Sequence, residues 1–215
     1  MEKIIGPFSQ IIPMSGLAPK GPLRDEDLLI LTGAGIKVNE RGFITAVGPW
    51  ETFLAEADQK TKIETHAEAM VLLPGLIDAH THICWGGSRA RDYALRLSGM
   101  SYQEIAARGG GIRDTVKQTR AASQDELTRL TVGRAQRLMQ AGITTIEVKS
   151  GYGQSVDSEL RMLRAIKKAD QQVAADLITT ALPAHIIPDE FAGQPTAWID
   201  ELNHSFFPIV ARKST

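Results

Sequence analysis

Apolar and polar residues follow two different rhythms along this 215-residue chain, and the change falls near residue 70. Over residues 1–69, short runs at 28–31, 35–38 and 43–48 carry branched and aromatic side chains between Gly, Asn and charged turns, which predicts a small antiparallel sheet. A short helix is expected at residues 50–57. From residue 70 onward strand-like runs alternate with long helical ones. Residues 70–73 and 76–77 are apolar and predict a buried strand leading into His80 and His82, while residues 144–149 and 177–182 predict the next two strands. Residues 127–139 and 160–169 have helical spacing, and a further helix is expected over 197–207. Ser123-Gln124-Asp125-Glu126 supplies a capping box for the first of these helices, and Gly142 follows its end, where left-handed backbone is wanted. Alternating βα units imply an α/β fold, a parallel sheet with helical crossovers.

Each predicted strand of the second region runs into residues capable of chemistry. The first ends in His80 and His82, the second runs into Ser150-Gly151-Tyr152-Gly153, and the third into Pro183-Ala184-His185. Active sites of (β/α)8 barrels and of open α/β sheets sit at these C-terminal strand ends. On a strand, residues i and i+2 share a face, so His80 and His82 point the same way. Neutral imidazole is a common metal ligand, and a metal with an open position turns bound water into a nucleophile near neutral pH. A His-x-His pair alone is more often two surface histidines; the Pro74-Gly75 punctuation, the strand before it and the nearby Asp78 favour the metal reading. Arg89 lies on a loop with a second arginine at 91, where a solvated side chain is the ordinary reading, and Tyr152 between two glycines reads equally as a plain turn.

Composition narrows the class. With 43% hydrophobic residues and 19 glycines the chain can bury a sizeable core as one or two domains. Lysine plus arginine number 24 against 25 acids, a formal net charge of -1, so nothing calls for a nucleic-acid partner or an anionic membrane. The single cysteine, Cys84, excludes an intrachain disulfide and fits a reducing compartment, with the cytoplasm as default. The N-terminus lacks a signal-peptide pattern and no apolar stretch approaches the ~20 residues of a membrane span, so a soluble protein is expected.

The segment Pro74-Gly75-Leu76-Ile77-Asp78-Ala79-His80-Thr81-His82, placed after a small β region, resembles the metal-dependent amidohydrolase superfamily. Gly86-Gly87-Ser88-Arg89, Ala94-Leu95-Arg96-Leu97-Ser98-Gly99, Ser101-Tyr102, Gly109-Gly110-Gly111-Ile112 and Lys149-Ser150-Gly151-Tyr152-Gly153 narrow the resemblance to the imidazolonepropionases, which open 4-imidazolone-5-propanoate to N-formimidoyl-L-glutamate in histidine degradation. The likeness runs from about residue 25 to about residue 210. It implies a partial (β/α)8 barrel preceded by a small N-terminal β-sandwich-type region, and one divalent ion, zinc or iron, with His80 and His82 as two of its ligands. It implies Arg89, Tyr152 and His185 as substrate-binding residues, with Tyr102 as a further one. A guanidinium fork and a phenol suit the propionate, and the His185 imidazole suits the ring carbonyl that takes up negative charge, a catalytic role. His185 could instead be a third ligand, but the superfamily takes its next histidine from a later strand. Lys149 is then structural, Cys84 a small buried apolar side chain, His204 a solvated helix residue, and Gly109-Gly110-Gly111, without a Gly-Lys-Ser/Thr ending, a flexible active-site loop.

Length departs from that pattern. A complete barrel takes ~250 residues, and 145 remain from residue 71 to residue 215. Residues 70–215 are therefore expected to be the N-terminal half of a barrel, lacking the family's remaining ligands and its acid/base; Asp189 and Glu190 follow His185 too closely to replace them. Three readings stay open: an imidazolonepropionase fragment, inactive alone, acting on 4-imidazolone-5-propanoate; another heterocycle amidohydrolase or deaminase; or a non-catalytic remnant that assembles with a second chain. The resemblance allows a homodimer for the full-length enzyme.

Overall fold

The computed structural model describes residues 2–18 and 20–213, which fall into two compact units, Met1–Pro74 and Gly75–Thr215. In the first, β1 (Lys3–Ile11) is the central strand of a five-stranded sheet. It pairs antiparallel with β2 (Leu31–Val38), which pairs antiparallel with β3 (Ile44–Pro49). On its other side β4 (Lys62–Thr65) and β5 (Val71–Leu72) run parallel to it. The sheet is therefore mixed where an antiparallel one was expected, and residues 28–30 stay outside it. Phe8, Ile11, Ala34 and Ile36 form one buried cluster; Ile4 forms another with Trp50 and Phe53 of α1 (Trp50–Glu56).

The expected buried strand from residue 70 to the histidines is two strands in two sheets. Val71 and Leu72 pair with Gln10 and Ile11, so the first unit extends to Pro74, past the border expected at residue 69. Pro74 has no N–H to give a ladder, and pairing resumes at β6 (Leu76–Thr81) in the second unit.

There β6, β7 (Ile143–Lys149) and β8 (Asp176–Thr180) form a parallel sheet in chain order. Between β6 and β7 run α2 (Ala90–Leu97), α3 (Tyr102–Ala107), α4 (Ile112–Ala121) and α5 (Gln124–Gln140). Helix α6 (Val156–Asp170) connects β7 to β8; α7 (Pro195–Glu201), a π-helical turn (Leu202–Phe206) and α8 (Phe207–Lys213) follow. The Ser123 hydroxyl accepts from Glu126 N–H and starts α5.

One face of this sheet presents Ile146, Val148 and Leu177 to α5 and α6, burying Leu127, Ala135, Met162, Ala165, Ile166 and Ala169. Cys84 lies fully buried in the same core. The register sets Ile77 beside Thr145 and Glu147 beside Ile178, so these residues, with Lys149 and Thr180, share the opposite face. No helix covers them: Ile77 is 71% and Ile178 54% exposed. A parallel sheet is ordinarily covered on both faces, and this uncovered face is the physical reason that β6 is not the buried strand its sequence predicts.

Candidate active site

His80 lies in β6 and His82 directly follows it. Their ring centroids are 5.5 Å apart, and His82 lies 5.5 Å from the ring of Tyr152 and 5.1 Å from that of His185. Strands β6 and β8 are separated by β7, and the turn after β8 brings His185 back to within ring contact of His82. Four of the six residues expected in the site thus meet at one end of the sheet. The half-buried His82 is their hub. Its Nδ1 is buried with no hydrogen-bond partner. Burial, reinforced by His185, His80 and Lys149, holds its pKa below the ordinary 6.5, so the ring is neutral at neutral pH, the state a metal requires of it. Asp78 acts on backbone, accepting from His80 N–H at 3.2 Å.

The loops that bring Tyr152 and His185 to His82 are tied together through Ser150. Ser150 N–H donates to Thr180 O and the Ser150 hydroxyl accepts from Leu182 N–H, both at 3.0 Å. Gly151 then turns with φ 117°; a Cβ there would sit 3.0 Å from Leu182 O and 3.2 Å from His185 Cβ, so glycine is what allows the two loops to touch. The carboxylate of Glu159, fully buried in the first turn of α6, accepts from Gly151 N–H at 2.9 Å, Gly153 N–H at 2.7 Å and Gln154 N–H at 2.9 Å. From α4, Arg120 donates to Gly153 O at 2.7 Å, Gln154 O at 2.5 Å and the Glu190 carboxylate at 2.5 Å. Glu190 lies in the segment after His185, and Arg120 holds its carboxyl below the usual range. Sequence reasoning missed Glu159 and Arg120. The signal for Glu159 was present: it shares the apolar stripe of α6 with Met162 and Ile166, at i, i+3 and i+7, where an unpaired charge is costly.

Arg89 stands at the start of α2 and donates from Nε to the Thr115 hydroxyl at 2.6 Å. With Trp85, Thr115 and Tyr152 it lines a cavity of about 210 Å³. The segment after His82 is anchored by Arg134 of α5, which donates to Ile83 O and Trp85 O at 2.7 Å and stacks 3.6 Å from the Trp85 ring centroid. Burial lowers the Arg134 pKa to about 10, so it stays charged at neutral pH. Tyr102 does not join the cluster of rings; it is 51% exposed on α3 and its hydroxyl lies beside Gly111. Gly111 N–H donates to Asp92 at 2.8 Å, so the expected flexible glycine loop is a pinned turn between α3 and α4.

Lys149 pairs with Glu147, whose carboxylate also accepts from Thr180 at 2.8 Å. His204 bonds Asp200 O from the π-helical turn. Among the described residues, no group of three or more His, Cys, Asp or Glu side chains is arranged to hold a metal. His80 and His82, the latter with a partnerless buried nitrogen, fit as two ligands of a larger set.

No family model matches the chain. Two solved structures share its fold: triazine hydrolase from Arthobacter aurescens, with TM-score 0.51 and 17% identity over 84% of this chain and 35% of that one, and N-isopropylammelide isopropylaminohydrolase from Burkholderia multivorans, with TM-score 0.50 and 19% identity over 91% and 42%. That likeness defines the class by fold, a parallel α/β arrangement with histidines gathered at its strand ends. Sequence narrows it further. Imidazolonepropionases are similar over most of the chain: that of Symbiobacterium thermophilum is 41% identical over 213 residues, 98% of this chain and 49% of the relative, and that of Erwinia tasmaniensis 45% identical over 166 residues, 77% and 40%. The chain is similar to imidazolonepropionases and spans about half the length of the curated relatives it matches.

Proposed function

We propose that this chain carries the histidine pair and part of the substrate face of an imidazolonepropionase, a cytoplasmic enzyme that hydrolyses the cyclic amide of 4-imidazolone-5-propanoate to N-formimidoyl-L-glutamate. The convergence of His80, Tyr152 and His185 on His82 carries the reading. It is supported by the parallel order β6-β7-β8 with helical crossovers, as expected of part of a (β/α)8 barrel, with the first unit, up to Pro74, as the β-sandwich-type region before it. His80 and His82 would hold one divalent ion, zinc or iron, with ligands from outside these residues; such an ion supplies an activated water and a Lewis acid at the carbonyl.

The chain's own side chains bind and orient. Arg89, its Nε fixed by Thr115, leaves its terminal nitrogens for the substrate propionate. Tyr152, facing both the cavity and His82, offers its hydroxyl to the same substrate. His185 donates an N–H to the ring carbonyl as negative charge develops there. Tyr102 would need to approach from its exposed position on α3.

Two histidines are fewer than the three protein ligands of a catalytic zinc site. The 215 residues alone are therefore expected to leave imidazolonepropionate unconsumed, and the chain co-expressed with the remaining half of a relative to convert it to N-formimidoyl-L-glutamate. His80→Ala and His82→Ala should each abolish that turnover and bound metal. Turnover by the short chain alone, or a complemented pair that binds metal but hydrolyses only some other heterocycle, would sink the proposal.

A further inference from the structure

We infer that Glu159 and Arg120 are positioning residues for Tyr152. Residues 151–154 send three amides to one carboxylate and two carbonyls to one guanidinium. The carboxylate brackets Tyr152: Gly151 N–H is bound to Oε2 and Gly153 N–H to Oε1. The peptide unit after the tyrosine and the one before Gly151 are thus fixed by a single planar group, itself held on a buried helical turn. Charge-assisted bonds of this type are shorter and stronger than neutral ones, and they offset the cost of burying the Glu159 charge completely.

Arg120 acts on the other side of the same backbone. Its remaining nitrogen reaches Glu190, in the segment that follows His185, so one guanidinium fixes the loop of Tyr152 against the residues beyond His185. A loop needing only closure could use a hydroxyl cap, as α6 already does with Ser155 accepting from Ser158 N–H. A buried carboxylate opposed by a guanidinium adds rigidity at Tyr152, one of the three residues whose rings contact His82. The functional consequence rests on Tyr152 binding substrate as proposed above; the geometric part does not.

The test uses the 215-residue chain, with amide hydrogen exchange and Tyr152–His82 ring NOEs read by NMR in the parent, Glu159→Ala, Glu159→Gln and Arg120→Lys. Glu159→Ala should speed exchange at Gly151, Gly153 and Gln154 by at least about tenfold, while core amides of β7 and α6 keep their protection, and should remove the ring NOEs. Glu159→Gln retains one carbonyl oxygen, so protection should fall on one side of the bracket only. Should Glu159→Ala fail to fold, Glu159→Gln and Arg120→Lys carry the same reading, the lysine losing at least one of the two carbonyl bonds and weakening the NOEs. Ring NOEs that persist through all folded variants, or protection lost evenly across the unit, would reduce both residues to fold stability and overturn the inference. In a complemented, active protein Glu159→Gln should raise KM more than it lowers kcat. Absence of turnover in the parent would count against the proposed function and leave the ring geometry to decide this inference.

Discussion

Replacing Gly86 by alanine should test how the segment after the histidines is held. A Cβ at Gly86 would lie 2.6 Å from the carbonyl oxygen of Gln118, 2.9 Å from its carbon and 3.1 Å from Thr119 Cα. These are backbone atoms of α4, which cannot rotate away as a side-chain tip could. Overpacking of this kind costs about 1–3 kcal/mol. The shift would also strain the bond from Gly86 N–H to the Thr119 hydroxyl at 3.0 Å, worth about 1 kcal/mol. The combined loss of roughly 2–4 kcal/mol lowers Tm by about 5–15 °C in a unit of this size. Gly133, inside α5 with nothing within 4 Å of its would-be Cβ, is the control: Gly133→Ala should stabilise by about 0.5–1 kcal/mol. Urea and thermal unfolding followed by circular dichroism measure both. The same substitution should move stability in opposite directions at the two sites. A Gly86→Ala chain that unfolds within a degree of the parent would refute the argument that α4 packs rigidly on this segment, and with it the claim that Thr115 holds Arg89 in place.

Arg134→Met keeps the bulk of the side chain but orphans Ile83 O and Trp85 O, and should cost about 2–4 kcal/mol; a urea midpoint equal to the parent's would show that those carbonyls find other donors. Glu190 should make a small acid-side contribution to stability. Because Arg120 holds its folded pKa below the ordinary 4.5, the unfolded chain takes up this proton first, so the contribution is complete above about pH 4.5 and is lost as pH falls through the lowered value. Solvent exposure keeps it within about 1 kcal/mol. Unfolding free energies of the parent and Glu190→Gln should converge toward low pH, and parallel pH profiles would contradict the pairing.

What could be read from the sequence was what local rules determine. Helices α5 and α6 and strands β7 and β8 follow from periodicity, from Ser123 at an N-terminus and from Gly142, which takes φ 88°. The meeting of His80, His82, Tyr152 and His185 was legible because each lies at or beyond the C-terminal end of a strand, where sites are carried. Strand β1 was missed because its partners are remote, at residues 31–38, 62–65 and 71–72, and Met70–Leu73 was assigned to the wrong sheet for the same reason. The short α2, α3 and α4 were missed although α3 begins with a Ser101–Glu104 capping box, a signal the motif reading passed over. Arg120 gave no sequence signal at all, since its three acceptors come from residues 33 to 70 positions away. Glu159 did give one, as a charge in an apolar stripe, but its meaning needed the loop it binds.

Ser150 extends the β7–β8 ladder beyond Lys149 and Thr180, and this sets what the site can survive. The separation between the Tyr152 and His185 loops is set by one main-chain bond, by the Ser150 hydroxyl and by the absence of a side chain at Gly151. Away from Ser150 and Gly151, chemistry in these loops can drift one residue at a time without moving its neighbours. A single inserted residue within β7 is a different event, because a one-residue slip turns every later side chain of a strand to the other face. The site is thus permissive toward substitution outside Ser150 and Gly151, and brittle toward insertion.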